Sequence, residues 1–284
     1  METTLKYTNN LGTVCMTGGG KSGIRITAIE GLGPFESEYT ALIYSGEDGQ
    51  ETTESRALAR CITVSADIVG NNAQSLFRQV CEVFSKAGTL YVINDGVARS
   101  IKCNQVKVAE PSRVQRGYAI GVTVQLVADS PYFETENDIV VPLYRRTKLL
   151  SVPFSLPHAF GKTVMGGKCD VDGGYTVEPI ITVNCRNALT ESETLTITNT
   201  RTNAVITLNH KPTANEIITI DIRNRTVSSS VSGNILNELS DSCFIGDFVL
   251  LPGENELKAI AGSINSGFTA DCVYRCKYRE AQIV

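Results

Sequence analysis

Gly20-Lys21-Ser22 ends like a phosphate-binding loop, a feature that would bring nucleotide chemistry to this chain. That chemistry needs a glycine five positions before the last one, and a helix immediately after whose N-terminal amides hold the phosphate. Position 15 is Cys15, and the residues after Ser22 alternate as a strand does, so the triplet reads as a flexible glycine-rich loop. Asp170-Val171-Asp172-Gly173-Gly174 begins like a calcium loop, which wants oxygen ligands at its first, third and fifth positions and a closing glutamate at the twelfth. Here the fifth is Gly174 and the twelfth is Ile181, so a surface turn is expected.

Nine cysteines are scattered through the chain: Cys15, Cys61, Cys81, Cys103, Cys169, Cys185, Cys243, Cys272 and Cys276. An odd count without any CxxC spacing is not a disulfide framework. Most lie in apolar runs such as Arg60-Cys61-Ile62-Thr63-Val64, where a thiol acts as a small buried hydrophobe. Cys272 and Cys276 are nearest in sequence, but an extended strand holds them too far apart to bond without a bend. The only histidines, His158 and His210, have no cysteine or second histidine close by. No metal site and no cofactor is expected. Tyr274 and Tyr278 share a strand face with Cys272 and Cys276, which makes them either packing residues or a flat platform for a sugar. No nucleophile, base and orienting group come together, so catalysis is not expected.

The elements that would position these residues are short strands. Residues 22–29, 38–44 and 57–69 read as strands, and Leu58, Ile62, Val64, Ala66 and Ile68 share one face of the third. Between the second and third lies a polar, acidic stretch, 45–55, with Glu47, Asp48, Glu51 and Glu54. It reads as a long exposed loop: either a solvated turn, or an arm reaching a neighbouring subunit, since such a loop has no stabilising role inside one domain. One helix stands out over 73–87. Leu76, Val80, Val83 and Phe84 form an apolar stripe, Asn72 suits the N-cap, Lys86 the negative end of the dipole and Gly88 the left-handed position beyond it. Strands follow at 89–93, 97–108 and 117–128, the last with Tyr118, Ile120, Val122, Val124 and Leu126 on one face, and Asp95-Gly96 marks a tight hairpin turn. Ser130-Pro131-Tyr132 breaks the pattern and marks a domain boundary. Residues 142–176 are rich in proline and glycine. Eight further strands are expected at 178–185, 194–200, 203–209, 216–222, 225–229, 243–251, 256–261 and 268–279, the spacing of a sandwich or jelly roll.

The fold class is therefore mainly β with one clear helix in the N-terminal half, in two domains, 1–130 and 131–284. Across 284 residues, 42% are apolar and 20% charged, which excludes a disordered chain. Twenty-six basic against thirty acidic residues give a net charge of −4, which argues against a general nucleic-acid binder. No stretch approaches the roughly 20 apolar residues that span a bilayer. The start, METTLKYTNN, lacks the basic flank and apolar core of a secretory signal, so the chain is expected to be made in the cytoplasm and to stay there unless carried out.

The layout as a whole resembles the distal tail proteins of long-tailed bacteriophages. Gly31-Leu32-Gly33-Pro34-Phe35 is similar to that family's Gly-Leu-Gly-Pro turn. Asp48-Gly49 followed by Arg60-Cys61-Ile62-Thr63-Val64 resembles its glycine loop and Arg-bearing strand. The helix at 73–87 with Gly88-Thr89-Leu90-Tyr91-Val92 resembles its passage from helix through glycine to short strand, and Ala128-Asp129-Ser130-Pro131-Tyr132-Phe133 the segment closing its first domain. Farther on, Ile220-Asp221-Ile222-Arg223-Asn224-Arg225-Thr226-Val227 and Leu250-Leu251-Pro252-Gly253-Glu254-Asn255 are similar to stretches of its C-terminal sandwich.

The resemblance implies a virion structural protein without enzymatic activity. Its N-terminal domain would pack as a homo-hexameric ring around a lumen, with a galectin-like sandwich outside. Partners would be the tail tube protein and the tail-tip or baseplate hub protein, in a virion tail assembled in the bacterial host cytoplasm, from a phage or a prophage. DNA would pass through the lumen without specific binding, and the acidic balance leads to an expectation of a net negative lumen wall. Glu47, Asp48, Glu51 and Glu54 are the candidate contact residues. Two other readings are a carbohydrate-binding module carried by the C-terminal sandwich, and a ring component of a phage-tail-like bacteriocin or injection particle.

Overall fold

The computed structural model describes residues 3–46, 48–109, 111, 113–115, 119–148, 161–164, 166–188, 194–261 and 267–281. The chain divides into two compact units, Met1–Glu136 with Tyr278–Val284, and Asn137–Lys277. The division falls a few residues beyond the Ser130-Pro131 break because Phe133 is fully buried in the first unit's core, and the last residues return to that unit.

In the first unit, β1 (Thr4–Asn9), β2 (Gly12–Thr17), β3 (Ile24–Glu30), β4 (Ser37–Leu42), β5 (Glu51–Ala57) and β6 (Arg60–Val69) precede the helix α1 (Ala73–Val83). After it come β7 (Gly88–Asn94), β8 (Val97–Cys103), β9 (Gln105–Val108), β10 (Arg113–Gln115), β11 (Ala119–Ala128) and β12 (Phe133–Thr135). One sheet has the order β10-β11-β6-β3-β2-β1-β7-β8-β12, with β9 also on β11. β4 and β5 stand apart as a two-stranded ribbon, so the expected 45–55 loop is in its second half a strand.

The long strand β6 organises the sheet. Alternation buries Arg60, Ile62, Val64, Ala66 and Ile68 and turns Cys61 outward. Cys61 is thus exposed, contrary to its apolar surroundings in sequence, and so are Cys15 and Cys81; Cys103, Cys169, Cys185, Cys272 and Cys276 are buried and all nine thiols are free. The same parity carries a guanidinium into the interior. Arg60 Nε donates to the Pro131 carbonyl at 2.7 Å, Nη1 to Gly31 and Gly33 at 2.5 and 2.6 Å, and Nη2 to Arg279 at 2.6 Å. Its plane lies 4.8 Å from the Phe133 ring centroid. Burial lowers its pKa, partly opposed by the nearby Glu280 carboxylate. Gly31 fits beside β6 only as glycine: its φ is +85°, and a Cβ would sit 2.1 Å from the Cys61 carbonyl oxygen. Phe35 meets Tyr132 edge to face, and the Ala281 amide bonds the Leu32 carbonyl.

The helix stripe packs as expected, with Val80, Val83 and Phe84 buried, but the helix stops at Val83 and its end is made differently. The Asn9 side-chain amide donates to the Val83 and Lys86 carbonyls at 2.7 and 3.2 Å, satisfying oxygens that a left-handed glycine would otherwise serve. Gly88 is no cap; it opens β7, and a Cβ there would meet the Thr8 carbonyl at 2.6 Å and the Tyr7 ring at 2.8 Å. Tyr7 stacks on Phe84 at 4.4 Å and donates to the Lys86 carbonyl, and burial raises its phenol to about 12. Asn72 occupies the N-cap without a side-chain bond. Asp95 and Gly96 take φ of 48° and 81°, the expected hairpin turn between β7 and β8. The strand expected over 97–108 breaks at Asn104 as the pairing shifts from β7 to β11. Tyr118 lies outside the described residues.

The second unit contains β13 (Ile139–Lys148), β14 (Gly161–Val164), β15 (Gly167–Val171), β16 (Ile180–Cys185), β17 (Leu195–Asn199), β18 (Ala204–Leu208), β19 (Glu216–Asp221), β20 (Thr226–Ser229), β21 (Gly233–Asn234), β22 (Gly253–Ala261) and β23 (Phe268–Tyr274). One sheet runs β14-β13-β23-β16-β19-β20-β21 and the other β15-β22-β17-β18. Both bury alternate residues, among them Ile181, Val183, Ile218 and Ile220 from the first and Val171, Ile197, Ile206 and Leu257 from the second, the layout of a sandwich. Tyr144 and Phe268 stack at 4.1 Å.

The strand expected at 243–251 is instead a 3₁₀ turn, Ile245–Asp247, leading to a lone bridge between Leu250 and Val177. Asn255 holds the end of this segment. Wholly buried, it accepts from the Leu251 amide and donates to the Leu251 and Gly253 carbonyls, giving the backbone a local alternative to a ladder. The expected 268–279 strand likewise breaks after Tyr274, and β24 (Lys277–Tyr278) leads back to the first unit.

Replacing Arg60 by alanine leaves three segments, at Gly31–Gly33, Pro131 and Arg279, without their shared donor. Arg60→Ala should cost about 3–5 kcal/mol of first-unit stability, and Arg60→Lys should recover less than half of it, because an ammonium cannot reproduce the fork. Chemical denaturation of both variants measures this.

Candidate functional site

The β4–β5 ribbon pairs with no other strand among the described residues. β5 is exposed at every position except Ala57, and β4 is exposed or half-buried throughout. Pairing runs from Ser37 opposite Ala57 to Leu42 opposite Glu51, with a bulge at Thr40/Ala41. Support within the ribbon is modest. Arg56 and Glu38 form an ion pair at 2.6 Å with side chains 76% and 53% exposed, which contributes little. The Tyr44 hydroxyl donates to Glu51 at 3.1 Å, Thr53 to the Thr40 carbonyl, and the Leu58 amide ties the base to Glu36. An isolated two-stranded ribbon is marginal in water, yet this one presents Tyr39, Leu42, Ile43 and Tyr44 to solvent at 65, 47, 76 and 49% exposure. Four large apolar groups stand exposed together within six residues.

The candidate acidic residues decorate this ribbon. Asp48 sits in the exposed turn at its tip, and Glu51 and Glu54 lie on β5 opposite Leu42 and Thr40. Glu47 lies outside the described residues. Sequence reasoning found the acids and missed the apolar surface beside them. Ala41-Leu42-Ile43-Tyr44 is a run without alternation, and such a run cannot be half-buried on one sheet face.

The densest polar cluster lies elsewhere, in the second unit, and is closed. Glu216 is 1% exposed. Its Oε1 bonds His210 Nε2 at 2.7 Å and the Ser229 hydroxyl, and its Oε2 accepts from the Thr213 amide at 2.7 Å and hydroxyl at 2.8 Å. Burial pushes the Glu216 carboxyl up, but the bonds from Ser229, the Thr213 amide, His210 and the Thr213 hydroxyl outweigh it and hold the group at about 2. Ser229 in turn accepts from the Val231 and Ser232 amides. With its oxygens occupied by protein donors, this carboxylate fastens β19, β20 and the 210–213 turn.

The other motifs are structural. Gly20-Lys21-Ser22 turns between β2 and β3, with Gly20 and Gly23 at positive φ, and a strand follows it. Asp170 and Val171 lie in β15, and Gly173 is pressed on the Lys277 carbonyl. The tyrosine platform does not form: Tyr274 is 4% exposed with its hydroxyl on the Asp170 carbonyl, while Tyr278 lies in the other unit under Arg99, 3.7 Å from its ring centroid. Among the described residues no group of three or more His, Cys, Asp or Glu could hold a metal ion, and no helix is long and apolar enough to cross a membrane. His158 lies outside the described residues.

Residues 172–279 match the family model of the siphovirus-type tail component, C-terminal domain. No curated protein matches the chain. Among solved structures, the SPP1 Dit (gp 19.1) protein, described as a paradigm of the hub adsorption apparatus in phages infecting Gram-positive bacteria, aligns with a TM-score of 0.65 at 12% identity, over 97% of this chain and 98% of that one. Chains of the phage P2 baseplate in its activated conformation align with TM-scores of 0.56, with calcium, and 0.55, with strontium, at 10% and 11% identity, over 99% of this chain and 100% of theirs. The resemblance to distal tail proteins is thus borne out in the C-terminal family match and in a mainly β fold shared across nearly the whole length.

The Glu216 cluster sets a pH dependence. A carboxyl whose folded pKa is depressed contributes stability that is present above its ordinary value near 4.5 and lost as pH falls toward about 2. The second unit's Tm should therefore fall steeply across that window, and Glu216→Gln should lower Tm at pH 7 while flattening the acid slope, as read by circular dichroism melts.

Proposed function

We propose that this chain is a distal tail protein, a structural virion component forming a hexameric ring that connects the tail tube to the tail tip or baseplate hub. The observation that carries the reading is the fold match to SPP1 Dit across both units, and the tail-component family match over residues 172–279 supports it. In this reading the first unit makes the ring and the second is a galectin-like sandwich outside it. The partners are five further copies of the chain, the tail tube protein and the hub protein, and the protein acts in the virion tail after assembly in the host cytoplasm. It has no catalytic role.

A ring requires two different faces of each subunit to meet. The ribbon supplies one: an arm whose Tyr39, Leu42, Ile43 and Tyr44 become buried on the next subunit, with Glu47, Asp48, Glu51 and Glu54 among its contacts. Each such apolar side chain, fully buried, contributes roughly 1.5–3 kcal/mol, which outweighs the weak internal support of the ribbon. A lumen that passes DNA must not hold it, so its wall is net negative, in keeping with the chain's charge of −4. A sugar-binding role for the second unit loses its motivation with the burial of Tyr274.

Electron microscopy of the purified protein mixed with its tail tube protein should show sixfold rings, and dispersed monomers at every concentration would sink the ring reading. The double variant Tyr39→Ser/Ile43→Asp should abolish the rings while shifting Tm by no more than about 1 °C, since both side chains face solvent in the free chain. Rings that survive the double variant would remove the arm from the interface.

A further inference from the structure

Two thiols far apart in sequence lie against each other inside the second unit. Cys169 sits in the middle of β15, opposite Asn255 of β22, and Cys272 on β23, opposite Val141 of β13 and Ile181 of β16. The strands belong to different sheets. Both side chains are 0% exposed, and the two thiol groups hydrogen-bond to each other. The approach of the strands does not depend on the sulfurs. The Tyr274 hydroxyl, on the same face of β23 as Cys272, donates at 2.9 Å to the carbonyl of Asp170, the neighbour of Cys169. Asn255, buried beside them, holds the Cys169 carbonyl at 3.5 Å. Cys272 and Cys276, adjacent in sequence terms, are instead separated by the break after Tyr274.

We propose that Cys169 and Cys272 are a latent cross-sheet disulfide, closed by a peroxide oxidant. One thiol reacts with hydrogen peroxide to give a sulfenic acid and water. The second thiol then attacks that sulfur, forming the S–S bond and releasing a second water, so two thiols and one peroxide yield one disulfide and two waters. The sulfurs are oxidised and the peroxide oxygens reduced, with no other reactant. Burial and the mutual hydrogen bond hold Cys272 as a protonated thiol, which makes the closed unit slow to react. Closure therefore proceeds when the sandwich opens transiently. The bond would join the two sheets across a loop of about 100 residues, long enough for a large effect on stability.

The test uses the full chain with exposed Cys15, Cys61 and Cys81 first blocked by N-ethylmaleimide. After prolonged exposure to hydrogen peroxide, a non-reducing tryptic digest should contain a peptide pair linked through Cys169 and Cys272. The Tm of the second unit should rise by roughly 10 °C and fall back with dithiothreitol. Cys169→Ala, a small change that tolerates burial, should abolish both the linked peptide and the rise. Recovery of Cys169 and Cys272 as alkylatable thiols after oxidation through a full unfolding and refolding cycle would overturn the proposal, as would linkage of Cys272 to Cys276 or to a second chain.

Discussion

A single buried guanidinium gathers the first unit. Five donors in a planar fork can serve several carbonyls at once, and Arg60 serves four, from two glycines of one turn, from Pro131 and from Arg279. The Pro131 carbonyl is the buried one, and without the fork it would be left an unsatisfied acceptor, while the part-buried bonds to Gly31, Gly33 and Arg279 would be lost with it. The charge itself is tolerated because its protons are bonded to carbonyl oxygens and Phe133 covers its face. Gly31 belongs to the same constraint, since only a residue without Cβ lets that turn lie on β6 closely enough to be reached.

The ribbon follows the opposite logic. Where the core spends polar groups to fix backbone, β4 and β5 expose apolar groups with little to fix them. Such a surface is unstable against association, and natural proteins normally blunt it with charge or a covering segment. Here the charges sit along β5 and at the tip.

Much of this was legible in the sequence, and the misses have common causes. Period-two alternation located β6, β11, β16 to β20, β22 and β23, while β13, β14 and β15 fell in or beside the stretch rich in proline and glycine and were not legible; the stripe Leu76, Val80, Val83, Phe84 located α1. Asp95-Gly96 fixed its hairpin. Some errors came from partners that the local pattern does not display, and others from local signals misread. Gly88 looked like a cap because Asn9, far upstream, was not known to be one. Residues 243–251 read as a strand but form a 3₁₀ turn, and only their last residue, Leu251, is engaged by the Asn255 side chain. Cys61 looked buried from its neighbours, although the parity of Ile62, Val64 and Ala66 already turned it outward and Arg60 inward. For the candidate site, composition revealed the acids of the 45–55 stretch, while the exposure of Tyr39 and Ile43 depended on the ribbon having no second layer.

Arg60 also imposes an order of events on synthesis. Three of its acceptors lie at or before residue 131, but the Arg279 carbonyl emerges from the ribosome only after the entire sandwich has been translated. The same holds for the Ala281 amide that bonds Leu32. A nascent first unit thus waits, one latch open, while its neighbour is made. Messages cut short before residue 279 yield a body that stays incompletely fastened.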